Sequence, residues 1–230
     1  MRHAIHIPED VIRRVVARCG TPHPFAALVP ARTALLVIDM QNGYMRADVG
    51  HSCVPTAPGI VPAINDLAAA LRGAGGHVAW VQNATDERSR REWSVLEEQA
   101  SPQRRAARIR SVSPGTEGHA FWPELDIRAA DMVVAKYRYS AFIRGASDLE
   151  ERLRARGIDT LLITGTLTNV CCESTARDAM MLNFRTIMVA DANAAMTDAE
   201  HNAALISFYL AFGDVQTADE IIATLARGDG

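Results

Sequence analysis

The chain has 230 residues, 48% hydrophobic and 22% charged, and a formal net charge of −3 at pH 7. That profile excludes the disordered and collagen-like classes and sets one folded domain as the expectation, large enough to bury roughly 70% of its unfolded surface without a metal or disulfide staple. With 24 basic against 27 acidic residues there is no basic excess to neutralise phosphates, so neither nucleic acid nor an anionic membrane is expected as a partner.

The first residues, Met1 to Asp10, lack the basic start and apolar run of a signal peptide, and no apolar stretch approaches the ~18 residues that span a bilayer. A cytoplasmic protein is the expectation. Four cysteines, Cys19, Cys53, Cys171 and Cys172, are too few for a disulfide framework and have no metal-ligand spacing. A short helical pattern over Glu9 to Arg18 precedes Pro22, Pro24 and Pro30, so residues 1–30 read as an N-terminal arm and 31–230 as the main domain.

From Thr33 onward, short apolar runs alternate with amphipathic stretches. Strands are expected at Thr33–Asp39, His77–Gln82, Asp131–Ala135, Thr160–Thr164, Thr186–Ala190 and around Val215, because their β-branched, two-sided apolarity suits parallel strands buried between helices. Helices are expected at Gly59–Gly73, Asp148–Gly157, Cys171–Leu182 and Asp198–Ala211. Ser147 with Glu150, Thr197 with Glu200 and Thr217 with Glu220 fit the capping-box spacing. This order predicts a three-layer α/β/α fold with a mainly parallel sheet. Residues 84–125 break the rhythm with seven arginines, Trp93, Trp122 and three prolines. So long a loop-rich segment points to function or subunit contact, and with the arm it suggests a homo-oligomer, a dimer or tetramer.

In an open parallel sheet, ligands bind beyond the carboxyl ends of the strands. Asp39 ends the first strand, Lys136 the third, and Cys171 follows the fourth at the start of a helix. Lys136 is the single lysine among 24 basic residues, which marks it as a position where a planar guanidinium does not serve. A thiol, a carboxylate and an ammonium on one rim form a nucleophile with its activators, and the helix mouth and the lysine are expected to favour the thiolate. The Gly165-Thr166-Leu167-Thr168-Asn169-Val170-Cys171 turn adds exposed backbone N–H groups. No Gly-x-Gly-x-x-Gly follows the first strand, which argues against a dinucleotide site.

These segments, ALLVIDMQNGY around Asp39, VVAKYRYSAF around Lys136 and LLITGTLTNVCCESTARDAM around Cys171, resemble the isochorismatase-like cysteine hydrolases over roughly Thr33 to Leu225. The closest motifs are those of the ureidoacrylate and N-carbamoyl amidohydrolases. The resemblance implies a six-stranded, Rossmann-like sheet, Asp39, Lys136 and Cys171 as catalytic groups, a cis peptide just before Leu167, and an oxyanion hole from the N–H groups of Leu167 and Cys171. Asn83, Tyr44, Tyr139 and Phe142 follow strand ends and are the candidate substrate-binding residues.

True isochorismatases, which cleave a vinyl ether, resemble this chain in RYSAF but typically lack the cysteine, so its presence favours a small carboxamide, ureido or N-carbamoyl substrate. Vinyl ether hydrolysis and a catalytically silent binding or assembly domain are the alternatives. The metal site of nicotinamidases has no counterpart here, where Gln82-Asn83-Ala84-Thr85-Asp86-Glu87 follows the second strand and His51, His77 and His119 lack a ligand spacing; neither metal nor cofactor is expected. Adjacent helical residues point about 100° apart, so only one cysteine can meet a given carbonyl. The family register selects Cys171 and leaves Cys172 in the core.

Overall fold

The structure, a computed structural model, describes residues 2–227. Six strands, β1 (Thr33–Ile38), β2 (His77–Asn83), β3 (Met132–Lys136), β4 (Thr160–Thr166), β5 (Arg185–Ala194) and β6 (Asp214–Gln216), form one sheet in the order β3-β2-β1-β4-β5-β6. Every pairing is parallel. The order reverses between β1 and β4, the crevice where this architecture receives ligands.

The sequence explains the layering. All residues of β1 and β4 are buried, as their unbroken apolar and threonine runs require. Successive β1 side chains alternate between two cores. Leu36 and Ile38 join the layer formed with Ala176, Ala179, Leu205 and Phe208, whereas Leu35 and Val37 join Ile64, Leu67, Ile221 and Leu225 on the other face. The first layer holds α7 (Leu149–Arg154), α8 (Glu173–Met181) and α9 (Asp198–Ala211); the second holds α3 (Val61–Gly73) and α10 (Ala218–Arg227). Helix α1 (Glu9–Cys19) buries Val11 and Val15 in the first core, and the short α2 (Asn42–Met45) follows β1.

Several expectations are corrected. Residues 84–125 contain three helices, α4 (Glu87–Glu92), α5 (Ser94–Glu98) and α6 (Pro102–Val112). The physical signals are local: Asp86 and Ser89 form a reciprocal capping box, Ser101 caps α6 ahead of Pro102, and Arg88–Glu92 and Arg91–Glu87 are i,i+4 ion pairs. The capping box expected at Ser147 and Glu150 does not form. The Ser147 hydroxyl donates to the Ala141 carbonyl at 2.7 Å and accepts from the Leu149 N–H at 3.1 Å. At Thr217 and Glu220 the box is complete, with Thr217 N donating to Glu220 Oε2 at 2.7 Å and Glu220 N donating to Thr217 Oγ1 at 3.3 Å. The helix expected from Cys171 begins as a wide π-helical turn over Thr168–Cys172 and becomes α8 only at Glu173.

Candidate active site

Strand β3 lies at the sheet edge and alternates, with Met132, Val134 and Lys136 buried and Val133 and Ala135 exposed. Period-two geometry thus sends the Lys136 side chain to the same face as two core residues, and its register with Asn83 sets it at the end of β2. Asp39 comes one residue after β1. Its φ of 55° is in the left-handed region, where a non-glycine residue is uncommon and turns the chain sharply. The Asp39 N–H is held by the Val81 carbonyl at 2.8 Å, and its carbonyl accepts from Thr166 Oγ1 at 3.3 Å.

Gly165 permits the third approach. It has φ of 114°, and a Cβ there would fall 2.0 Å from the Ile38 carbonyl oxygen. Only glycine allows β4 to end this close to the residue before Asp39. The Thr166–Leu167 peptide that follows is cis, as the family resemblance implies, and the π-helical turn then carries Cys171.

These three backbones converge. Lys136 Nζ is 2.8 Å from Asp39 Oδ2, with both side chains fully buried, and donates to the Arg138 carbonyl at 3.2 Å. Burial is the largest influence on Asp39 and raises its carboxyl above the ordinary value, while Lys136 and the Cys171 thiol pull it down. Burial alone would lower Lys136, but Asp39 and Cys171 outweigh it and keep the ammonium above its usual value. Cys171 is 3% exposed. Burial and then Asp39 raise its thiol, opposed by Lys136. Burial and the neighbouring carboxylate thus work against the thiolate that the helix mouth and Lys136 were expected to favour. Cys172 is fully buried, and its thiol donates to the Thr164 carbonyl at 3.8 Å.

Above Cys171 lies a cavity of about 180 Å³, lined by Leu167, Val170, Asn83, Tyr44 and Tyr139 on the sheet side and by α4 to α6 on the other. Such a volume suits a small metabolite, since drug-sized ligands occupy pockets of about 300 Å³ or more. Asn83 Nδ2 donates to the Tyr44 hydroxyl at 2.5 Å. Gln41, fully buried, ties the β1 and β2 exits together by donating to the Asn83 carbonyl at 3.1 Å and accepting from the Asn83 N–H at 2.8 Å. Its amide also donates to the His119 carbonyl at 2.9 Å.

Among the described residues no three His, Cys, Asp or Glu side chains come together as a metal group, and no helix is long and apolar enough to cross a membrane.

Residues 33–220 match the isochorismatase domain. The chain belongs to the isochorismatase family. It is 33% identical to the ureidoacrylate amidohydrolase RutB of Pseudomonas savastanoi pv. phaseolicola, covering 96% of this chain and 94% of that one. A cysteine hydrolase from Pseudomonas syringae pv. phaseolicola 1448A superposes with a TM-score of 0.74 at 28% identity, over 87% of this chain and 95% of the other. N-carbamoylsarcosine amidase from Thermoplasma acidophilum gives 0.65 at 28% identity, over 82% and 97%.

Against this family frame, one substrate-binding expectation is displaced. Phe142 does not line the cavity; it packs on Phe184 with ring centroids 5.6 Å apart in the apolar layer. The Ala141 N–H donates to Thr175 Oγ1 of α8 at 3.1 Å, which draws this stretch onto the helix layer and away from the mouth. On the helical side Trp93, just after α4, meets Tyr139 edge-on at 4.9 Å, and His51, from the segment between β1 and α3, meets Tyr44 at 5.2 Å. The arginines and Trp93 of residues 84–125 are the sequence signal for this wall.

Proposed function

We propose that this protein is a cysteine-dependent amidohydrolase that cleaves the C–N bond of a small carboxamide, ureido or N-carbamoyl compound through a thioester intermediate. The observation that carries the reading is the buried Asp39–Lys136 pair, 2.8 Å apart, beside the Cys171 thiol at the cavity floor. The amidohydrolase names of its relatives support the C–N bond as the target.

In this mechanism Cys171 Sγ attacks the carbonyl carbon as its proton passes to Asp39. The resulting oxyanion is received by the N–H groups of Leu167 and Cys171. The tetrahedral intermediate collapses to a thioester as the leaving nitrogen takes the proton from Asp39 and departs as ammonia or an amine. Water then gives a proton to Asp39 and attacks the thioester, releasing the acid and restoring the thiol. Lys136 remains an ammonium throughout and offsets whichever of Asp39 or Cys171 carries the negative charge. A proton acceptor with a raised pKa serves this cycle well, because it must both take and return a proton near neutrality.

The test is ammonia release from a panel of ureido acids, N-carbamoyl compounds and carboxamides, with isochorismate included for ether cleavage. Cys171→Ala is predicted to lose at least about 10³-fold in kcat while keeping its fold, and Cys172→Val to be nearly silent. Amide hydrolysis that persists in Cys171→Ala overturns the thioester route. Cleavage of isochorismate alone selects the ether reading.

A further inference from the structure

The helical wall of the cavity carries three arginines, Arg90, Arg104 and Arg108, and a single carboxylate, Glu97. Glu97 is spoken for. It is ion-paired to Arg108, with both side chains largely shielded from solvent. The guanidinium groups of Arg90 and Arg104 have neither an ion pair nor a hydrogen bond among the described residues, unlike Arg46, Arg72, Arg128 and Arg177, each of which is held by a carboxylate. At the opposite end of the cavity, the charges of Asp39 and Lys136 cancel. The uncompensated charge facing the substrate is therefore positive and comes from Arg90 and Arg104.

His51 supplies a second observation. It lines the same cavity, and its Nδ1 is buried with no hydrogen-bond partner. Burial, then the charges of Arg108 and Arg104, push its pKa down to about 4, so at neutral pH it brings an unsatisfied polar atom and no charge. Cys171, Tyr139, Arg90 and Arg104 all line this one cavity. A molecule held in this cavity of about 180 Å³ is bounded by the thiol and by the arginine wall together.

We propose that the substrate carries a carboxylate a few bonds from its scissile C–N carbonyl, and that Arg104 and Arg90 bind this carboxylate while the carbonyl lies against Cys171. The guanidinium fork matches a carboxylate with two parallel hydrogen bonds, and such charge-assisted pairs are roughly twice as strong as neutral ones. The selectivity is for ω-ureido, N-carbamoyl or amide acids over their neutral counterparts. Because Arg104 is exposed at the rim, part of the attraction is screened by salt. This inference rests on the amidohydrolase reading for the position of the carbonyl, and its test separates the two.

The experiment compares β-ureidopropionate with its methyl ester, and succinamate with succinamide, in the wild type and in Arg90→Gln, Arg104→Gln and the double variant. Wild-type kcat/KM is expected to favour each acid over its neutral partner by tenfold or more. In the double variant that ratio is expected to fall by about 10- to 100-fold, chiefly through KM, and raised salt is expected to reduce the wild-type ratio as well. In parallel, calorimetric titration of Cys171→Ala with succinamate reads binding without turnover, and the same titration in Cys171→Ala/Arg90→Gln/Arg104→Gln is expected to weaken by a similar factor. Turnover with no preference for the acids, or a preference that survives the double variant, overturns the carboxylate subsite and leaves the hydrolase intact. Arginine-dependent binding of succinamate without turnover of any amide sustains the subsite and overturns the hydrolase. Binding equal with and without the two arginines overturns the subsite outright.

Discussion

Burial and the Asp39 carboxylate raise the Cys171 thiol, and only Lys136 opposes them, so Asp39→Asn is predicted to separate ionisation from turnover. With the carboxylate gone, the Lys136 ammonium has the sulfur as its nearest anionic partner, and thiolate becomes more populated at neutral pH. Alkylation of Cys171 by iodoacetamide should therefore accelerate while amide hydrolysis is lost. Slower alkylation with hydrolysis retained would remove Asp39 from the proton path. The same carboxyl sets the acid side of the pH profile. Burial raises it above the ordinary value of 3.8; as pH falls through that raised value, Asp39 gains a proton and can no longer take one from sulfur. The acid limb of kcat/KM is thus predicted above the usual carboxylate range, as an apparent value that belongs to the coupled Asp39–Lys136–Cys171 group. A limb at or below 3.8 would contradict it. Asp39, Lys136 and Cys171 were legible in sequence because each sits at a strand end or the turn after one, and a lone lysine among arginines is conspicuous. Phe142 faces the core instead, because distance from a strand end does not say which way a side chain points once the chain has turned; the neighbouring Ala141 N–H is bonded to Thr175, and Phe142 packs on Phe184.

At the scale of elements, the meeting of β1 and β4 depends on the missing side chain of Gly165. A Cβ there would fall 2.0 Å from the Ile38 carbonyl oxygen and 2.7 Å from the Ile38 nitrogen, neither of which can swing aside, and φ of 114° is itself closed to alanine. Gly165→Ala is predicted to cost at least about 3 kcal/mol and to abolish activity even in whatever fraction folds, because Asp39 and the Cys171 turn are forced apart. An unchanged urea midpoint would refute this. The bulge that accompanies the approach, a register shift between Ile163 and Gly165, is filled by Asn193, whose Nδ2 donates to the carbonyls of Ile163 at 2.8 Å and Val189 at 2.7 Å. The parallel core could be read ahead of the structure because two-sided apolar runs have few other uses. The bulge, the π-helical turn and the helical wall could not. They arise from one side chain satisfying a distant backbone group, or from caps such as Asp86 and Ser101 in a segment whose arginine and proline content resembles a loop.

Across the whole molecule, the N-terminal segment packs on its own chain and closes the back of the site. His3 stacks on His201 with ring centroids 4.3 Å apart and accepts from the Ala195 N–H at 2.9 Å. His201, fully buried, has its Nδ1 2.8 Å from Thr168 Oγ1 at the start of the nucleophile turn. Burial, with His3 adding to it, pushes His201 down to about 4. The unfolded chain holds a histidine near 6.5, so below that pH it binds a proton that the folded state refuses. Stability is therefore predicted to fall from about pH 6.5 and to level off near pH 4, by up to about 3 kcal/mol for this one residue. His23 acts in the opposite sense: its hydrogen bond to Asp214 raises it against the lowering effect of burial, so its contribution is present below pH 6.5 and lost as pH rises through its raised value. The two are separable by His201→Gln. Urea unfolding at a series of pH values between about 7 and 4 should show the variant gaining on the wild type as pH falls, because only the wild type bears the penalty of a buried imidazole that must stay neutral. A gap that stays constant across that window would mean that His201 titrates alike in the folded and unfolded chain, and the buried neutral imidazole beneath the nucleophile turn would have to be abandoned.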